Sequence, residues 1–233
     1  MRHPTVIATI QARMNSARLP GKALRPMNGQ AMLGRVLDRV RMSCTIDDLW
    51  VTTSTEPTDD ALAAFAETHG AKVYRGSLDN VLGRMIGTAD AANADALVRI
   101  SGDSPLIDPA IIDRAVAIFL QGDADLVTNV QRRTFPKGQS VEVISKAALR
   151  LAQREHTSAE DLEHVTPWLY ANPQRVRIVN FELTPAHNSY NFSVDTPADF
   201  AYLSSIISRL QERHGVHDLD AIIAAADSAR AKP

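Results

Sequence analysis

The chain of 233 residues carries one cysteine, Cys44, so no disulfide can form within it and an oxidising compartment is not implied. Cys44 falls in a helical-looking stretch and is expected to be a small buried or half-buried residue. No apolar run is long enough to span a membrane, and the first residues lack the apolar stretch of a secretory signal, so a cytoplasmic location is expected. Neither sign of charge dominates: 25 Lys and Arg stand against 27 Asp and Glu, a formal net charge of -2. That balance excludes a general nucleic-acid-binding surface, and any positive charge that matters must be local. Internal repeats, low-complexity tracts and interdomain linkers are missing too. So are the two glycine-rich phosphate signatures. The Gly21-Lys22 pair is followed by Ala23 and has Ser16 where a P-loop needs glycine, and no Gly-x-Gly-x-x-Gly follows the first strand.

What is present is 45% hydrophobic residues, enough for the core of one large α/β domain. Val6–Ile10, Leu49–Thr53, Lys72–Tyr74 and Ala96–Ile100 read as strands. Between them, Met32–Met42, Pro57–His69 and Asp79–Asn93 show helical spacing, and Asp108-Pro109 is the N-cap and first turn of a helix reaching Gln121. This alternation predicts a mostly parallel sheet with helices on both faces. Leu126–Val130 is the next strand. Gln131 to Gly138 has no periodicity, and Ser140–Ile144 alternates like an edge strand. Ser145 caps a helix to Glu155, and Ala159–Ala171 is a further helix that Pro167 kinks or splits. Strands at Arg175–Leu183 and Ser189–Val194 precede helices at Thr196–His214 and Asp218–Arg230. Residues 131–190 look like a lobe attached to the sheet of a single 1–233 domain.

Chemistry concentrates in loops that leave strand ends, where open α/β sheets bind ligands. After the first strand, Gln11 to Lys22 carries Arg13, Arg18 and Lys22 with no acidic residue among them, and Ser16 adds a hydroxyl. Uncompensated cations there suit a polyphosphate; the same letters also describe a solvated basic loop. Asp103 follows Val98–Ile100, and Asp195 follows Phe192–Val194. Singly they read as a turn residue and a helix N-terminal charge. Beside a cationic loop they suit a magnesium–triphosphate site, because magnesium takes hard oxygen ligands and one or two carboxylates. Asp123-Ala124-Asp125 has the letters of a glycosyltransferase metal motif but precedes a strand, which suits a solvated turn.

Ile10 to Lys22 (IQARMNSARLPGK) resembles the signature loop of the sugar cytidylyltransferases, both the 3-deoxy-manno-octulosonate (KDO) and the acylneuraminate types. The branch named for the spore-coat polysaccharide biosynthesis protein SpsF is the most similar. It is matched by Tyr74 to Arg84 (YRGSLDNVLGR), Arg99 to Pro109 (RISGDSPLIDP), Arg133 to Gly138 (RTFPKG), Glu163 to Pro167 (EHVTP) and Val194 to Phe200 (VDTPADF). The loop departs from the family pattern at Met14 and Asn15, where relatives often carry a different residue and a glycine.

The resemblance implies a Rossmann-like nucleotidyltransferase fold of GT-A type, a three-layer α/β sandwich with a mixed, mostly parallel sheet. It implies transfer of CMP from CTP to an acidic sugar, with release of pyrophosphate and Mg2+ as cofactor, for surface polysaccharide or glycoconjugate synthesis. Carried over by position, Arg13, Ser16, Arg18 and Lys22 would grip the triphosphate, and Asp103 and Asp195 would hold the metal. Gln11, Ala12, Thr53, Ser101 and Gly102 would surround the nucleotide. On the acceptor side would lie Arg75, Asp79, Arg84, Arg133, Lys137, Glu142 and His164. His164 reads equally as a helix-surface or packing histidine, and Glu142 reads more readily as a plain exposed residue of an alternating strand. By analogy the 131–190 lobe would bind sugar and form a homodimer, with no nucleic-acid or membrane partner. A GT-A-type glycosyltransferase and a catalytically silent nucleotide-binding protein are the alternatives.

Overall fold

The structure, a computed structural model, describes residues 3–155, 158–211 and 217–230. The chain opens with β1 (Val6–Gln11), and a basic loop leads through a 3₁₀ turn (Lys22–Leu24) to a small ribbon, β2 (Pro26–Met27) paired with β3 (Gln30–Ala31). Helices and strands then alternate: α1 (Met32–Arg41), β4 (Asp48–Ser54), α2 (Asp60–Thr68), β5 (Lys72–Gly76), α3 (Val81–Ala91), β6 (Ala96–Ser101), α4 (Pro109–Leu120) and β7 (Leu126–Thr128). After a long loop come β8 (Glu142–Ser145), α5 (Lys146–Glu155), α6 (Ala159–His164), α7 (Pro167–Ala171) and β9 (Ile178–Asn180), then α8 (Pro197–Gln211) and α9 (Leu219–Arg230). The end expected for α8 at His214 lies outside the described residues.

The strands form one seven-stranded sheet in the order β5-β4-β1-β6-β8-β7-β9, with β8 antiparallel to both neighbours and the other pairs parallel. The alternation inside β1 shows how the layers are made. Val6, Ala8 and Ile10 point to a core shared with Leu33 and Val36 of α1, Leu62 of α2, Ile112 of α4, Leu203 of α8 and Ile222 of α9. Ile7 points to the other face, against Leu82 and Met85 of α3, Leu149 of α5 and Leu169 of α7. Successive side chains of a strand face opposite ways, so a run apolar at nearly every position demands cover on both sides. Each fully buried aliphatic side chain contributes about 1.5–3 kcal/mol. The result is the expected three-layer sandwich with a mixed, mostly parallel sheet.

Local signals set several helix ends. Asp108 accepts from the Ala110 amide at 2.9 Å and Pro109 begins α4. The Asn80 side chain accepts from Gly83 N at 2.7 Å to start α3. Pro167 splits the 159–171 segment into α6 and α7. Three expectations are corrected. Ser140–Ile144 is not an edge strand, because β8 is inserted between β6 and β7. Its alternation mimics a solvated edge because the polar position, Glu142, is buried against an ion-pair partner rather than turned to water. Cys44 is exposed; it sits in the turn after α1, where Asp113 accepts from the amides of Cys44 and Thr45. The strand expected at Ser189–Val194 reduces to one bridge, between Lys137 and Asn191.

Candidate active site

The loop leaving β1 is held before it reaches any ligand. Ala12 N continues the ladder to Thr52 O at 3.2 Å, and Gly102 N donates to Gln11 O at 2.9 Å. A Cβ on Gly102 would stand 2.8 Å from Ala12 Cβ and 2.9 Å from Gln11 O, so only glycine lets the loops after β1 and β6 run this close. Beyond Ala12, Asp59 is the anchor. Its Oδ1 accepts the Met14 amide at 2.7 Å, and its Oδ2 accepts Thr53 Oγ1 at 2.9 Å, Ser54 N at 3.1 Å and the Ser54 hydroxyl. Burial of Asp59 disfavours its charge, but those donors from Ser54, Met14 and Thr53 outweigh burial and hold its pKa below the ordinary value. Leu19, buried, pins the far side of the loop.

So held, the loop lines a cleft of about 420 Å³ with Gln11, Ala12, Arg13, Ser16, Arg18 and Lys22, opposite Ser101, Gly102, Asp103 and Asp195. The two acids, 92 positions apart in sequence (195 less 103), are joined through backbone and charge. Val194 N donates to Asp103 O at 2.9 Å. Lys22 Nζ donates to Val194 O at 2.5 Å and lies 3.4 Å from Asp103 Oδ2 and 3.7 Å from Asp195 Oδ1. Arg18 reaches Asp195 Oδ1 at 2.9 Å and Lys137 reaches its Oδ2 at 2.6 Å. Burial pushes the Asp195 carboxyl pKa up. The Lys137 hydrogen bond and charge, with Lys22 and Arg18, more than offset it, so the group lies below its ordinary value. Asp199 accepts from Asp195 N at 3.1 Å and Thr196 N at 2.8 Å, fixing the backbone at the start of α8.

This corner fits a divalent cation. Asp103 Oδ2 and Asp195 Oδ1 both lie beside the Lys22 ammonium, at 3.4 and 3.7 Å, and both residues line the cleft. Among the described residues no cluster of three or more His, Cys, Asp or Glu exists. The protein thus offers two carboxylates, the share magnesium takes when phosphates and water supply the rest.

A second cavity, about 440 Å³, adjoins the first and shares Gln11, Ser101 and His164 with it. Its floor is a satisfied polar network. Arg99 Nη1 donates to Glu142 Oε2 at 2.8 Å, its Nε and Nη2 reach Gln11 Oε1 at 3.3 and 3.2 Å, and Tyr170 OH donates to Glu142 Oε1 at 2.6 Å. Burial first, and the Glu142 carboxylate next, push the Tyr170 phenol up, so it remains a donor. Arg133, on the rim, donates to Ser140 Oγ at 3.1 Å. Glu163, next to His164, reaches across the first cleft to Arg13 at 3.8 Å.

A family model described as cytidylyltransferase matches residues 7–219. The chain belongs to the cytidylyltransferase family. The spore coat polysaccharide biosynthesis protein SpsF of Bacillus subtilis (strain 168) is 31% identical over 91% of this chain and 90% of its own length. A 3-deoxy-manno-octulosonate cytidylyltransferase of Solibacter usitatus (strain Ellin6076) is 32% identical over 55% of this chain and 50% of its own. Among solved structures, a cytidylyltransferase from Leptospira borgpetersenii serovar Hardjo-bovis (strain JB197) superposes with a TM-score of 0.92 at 30% identity, covering 98% of this chain and 96% of that one. The chain is therefore a nucleotidyltransferase enzyme with the fold of that family.

For this cytidylyltransferase the expected site residues are distributed as follows. The loop residues, Ser101, Gly102, Asp103 and Asp195 line the first cleft, as do Arg84 and His164. Arg133, Glu142 and His164 line the second. Thr53 is buried beneath the loop and acts through Asp59. Arg75 is spent on Ser54 O, Glu56 O and an ion pair with Asp60, and lines neither cavity. Asp79 is exposed before α3 and likewise lines neither. Lys137 serves Asp195 from outside both cavities. Asp125, in the Asp-x-Asp letters, accepts from Arg177 N at 2.9 Å ahead of β7, and no part of it lines either cavity. Asp59 and Tyr170 were not singled out in sequence, and Arg99 and Glu163 entered only as letters of family-like segments, without a role. Arg99 had a signal: a charged residue inside a buried-type strand needs a buried partner, and the register sets Arg99 opposite Glu142.

Proposed function

We propose that this cytidylyltransferase uses CTP and transfers CMP to a hydroxyl of an acidic sugar, releasing pyrophosphate, as a step toward a surface polysaccharide or glycoconjugate. The observation that carries the reading is the junction of the two cavities. A cleft with a cationic loop and two acids opens at Gln11, Ser101 and His164 into a second cavity with its own polar floor. The names of the Bacillus and Solibacter relatives agree with a carbohydrate product and with an acidic sugar acceptor.

In this reading Arg13, Arg18 and Lys22 take the triphosphate, and Ser16 adds a hydroxyl donor. Asp103 and Asp195 would hold magnesium, which when bound offsets charge on phosphate oxygens. Arg18 and Lys137, now paired with Asp195, are free to turn to phosphate once another cation neutralises that carboxylate. The acceptor lies in the second cavity, with Arg133 facing its carboxylate; Arg99 is already matched by Glu142. The acceptor oxygen bonds to the α-phosphorus, the bond to the bridging oxygen breaks, and pyrophosphate leaves toward Lys22 and Arg18. His164, which lines both cavities, would accept the hydroxyl proton at an unprotonated ring nitrogen. No side-chain nucleophile is needed; positioning and electrostatics supply the catalysis.

A pyrophosphate-release screen crossing CTP, UTP, ATP and GTP with acidic and neutral sugars tests this. The expected result is magnesium-dependent release with CTP and a carboxylated sugar, lost in Asp103→Ala and Asp195→Ala. Release with a neutral sugar and none with any acidic one, or full turnover in either variant, contradicts it.

A further inference from the structure

The polar floor of the second cavity ends in an unused donor. Arg99 reaches Gln11 Oε1 through Nε and Nη2 together, at 3.3 and 3.2 Å. A guanidinium carries N–H donors and no acceptor, so this contact decides which way the amide faces: its oxygen to Arg99, its NH2 group away. Gln11 Nε2 makes no hydrogen bond to a described residue. Gln11 is half-buried, and among the described residues the side-chain polar atoms sealed from water without a partner belong to Thr9, Thr52, Arg84 and Tyr202. Gln11 Nε2 is therefore unpartnered and still accessible. Gln11 lines both cavities, whereas Arg99 lines the second and not the first. The amide opens at the boundary of the two cavities, which Gln11 shares with Ser101 and His164.

A chain of contacts from four other elements holds it there. The register places Gln11 of β1 beside Ser101 of β6 and Arg99 of β6 opposite Glu142 of β8. Glu142 Oε2 fixes Arg99 Nη1 at 2.8 Å, and its Oε1 takes the Tyr170 hydroxyl of α7 at 2.6 Å. That hydroxyl gives its single proton to Glu142 and so accepts from Thr128 Oγ1 of β7, 2.8 Å away. An ion pair largely withdrawn from water adds little stability over apolar packing, so this network is not explained by holding the fold. Its one cation and one anion cancel, and its outlet is a neutral donor. Resting on the function proposed above, we infer that Gln11 is a specificity-determining residue for the acceptor. Its Nε2 donates to an oxygen of the sugar where the two cavities meet, and Arg99, Glu142 and Tyr170 are positioning residues that keep the amide turned that way. A carboxylate, carbonyl, ring or hydroxyl oxygen suits that donor; an ammonium group is turned away. This takes the Gln11 side chain from the nucleotide, where the resemblance put it, to the acceptor.

Pyrophosphate release from CTP and magnesium with 3-deoxy-manno-octulosonate, N-acetylneuraminate and glucuronate, together with calorimetric titration of CTP into the same proteins, tests the inference. Gln11→Met keeps the length of the side chain and loses the donor. Gln11→Glu keeps an oxygen for Arg99 and puts a second oxygen where the NH2 group stood. On the sugar that wild type uses best, kcat/KM is expected to fall about 3- to 10-fold in Gln11→Met and about 10- to 100-fold in Gln11→Glu, with CTP affinity unchanged in both. Tyr170→Phe keeps the ring and removes the donor to Glu142; it is expected to lower kcat/KM about 3-fold alone and to add nothing in the Gln11→Met background, as groups acting through one another do. Wild-type kcat/KM in Gln11→Met, which remains informative if Gln11→Glu does not fold, overturns the inference. So does a loss of CTP affinity in Gln11→Met, which would return the side chain to the nucleotide. A Tyr170→Phe effect of equal size in both backgrounds overturns the positioning role. These results leave the proposed function standing; a wild-type chain that releases pyrophosphate with none of the three sugars overturns that function and this inference together.

Discussion

Asp59 carries more of the site than its place suggests. It never touches the cleft, yet its two oxygens hold the Met14 amide and the end of β4 together. An amide in its place turns an NH2 group toward one set of those donors. Asp59→Asn is expected to cost about 2–3 kcal/mol, read as a lower urea midpoint, and to weaken nucleotide binding because the loop loses its tether. The sign of the pH effect follows from the depressed pKa of Asp59. A carboxyl held below its unfolded value contributes stability above that value, about pH 4, and loses it as pH falls through the folded value. The urea-midpoint gap between wild type and Asp59→Asn should therefore be smaller at pH 3 than at pH 7; an equal gap at both would show that its charge does not stabilise the fold. Asp59 was hidden in sequence because an acid just after Pro57 reads as ordinary helix N-terminal charge. Arg99 and Glu142 were each visible as letters, and only the strand register makes them a pair.

Among elements, the segment from Arg133 to Gly138 and the segment entering α8 act as one unit. Lys137 N donates to Tyr190 O at 3.1 Å and Phe192 N to Lys137 O at 2.7 Å. Gly138 has φ 88°, and a Cβ there would stand 2.4 Å from the backbone carbonyl of Phe192. That backbone leads three residues on to Asp195. Gly138→Ala combines a left-handed backbone with overpacking against main chain and is expected to cost at least about 2 kcal/mol. It should also lower turnover; a variant that melts and turns over like wild type would show that the two segments are not coupled. At this scale sequence patterning read the parallel half well, because β1, β4 and β6 are apolar runs between periodic helices. It failed at β8, where a buried ion pair and a true solvated edge produce the same alternation of letters.

Over the whole molecule, the sheet gathers Arg13 to Lys22, Asp103 and Asp195 at one end, although Arg13 and Asp195 are 182 positions apart (195 less 13). Such convergence is legible from the rule that ligands meet strand ends, and the three loops were readable on that basis. The second cavity was only half legible, because its floor comes from β6, β8 and α7, whose side chains meet only after β8 inserts against the parallel strands. Among the described residues no helix is long and apolar enough to cross a membrane. The central claim is that the cationic loop and the two acids bind one nucleotide tail. A crystal of the chain soaked with CTP and magnesium tests it most directly. The account expects the triphosphate against Arg13, Ser16, Arg18 and Lys22, with an ion between Asp103 and Asp195; a nucleotide lodged elsewhere, with those side chains still paired only to one another, would contradict it.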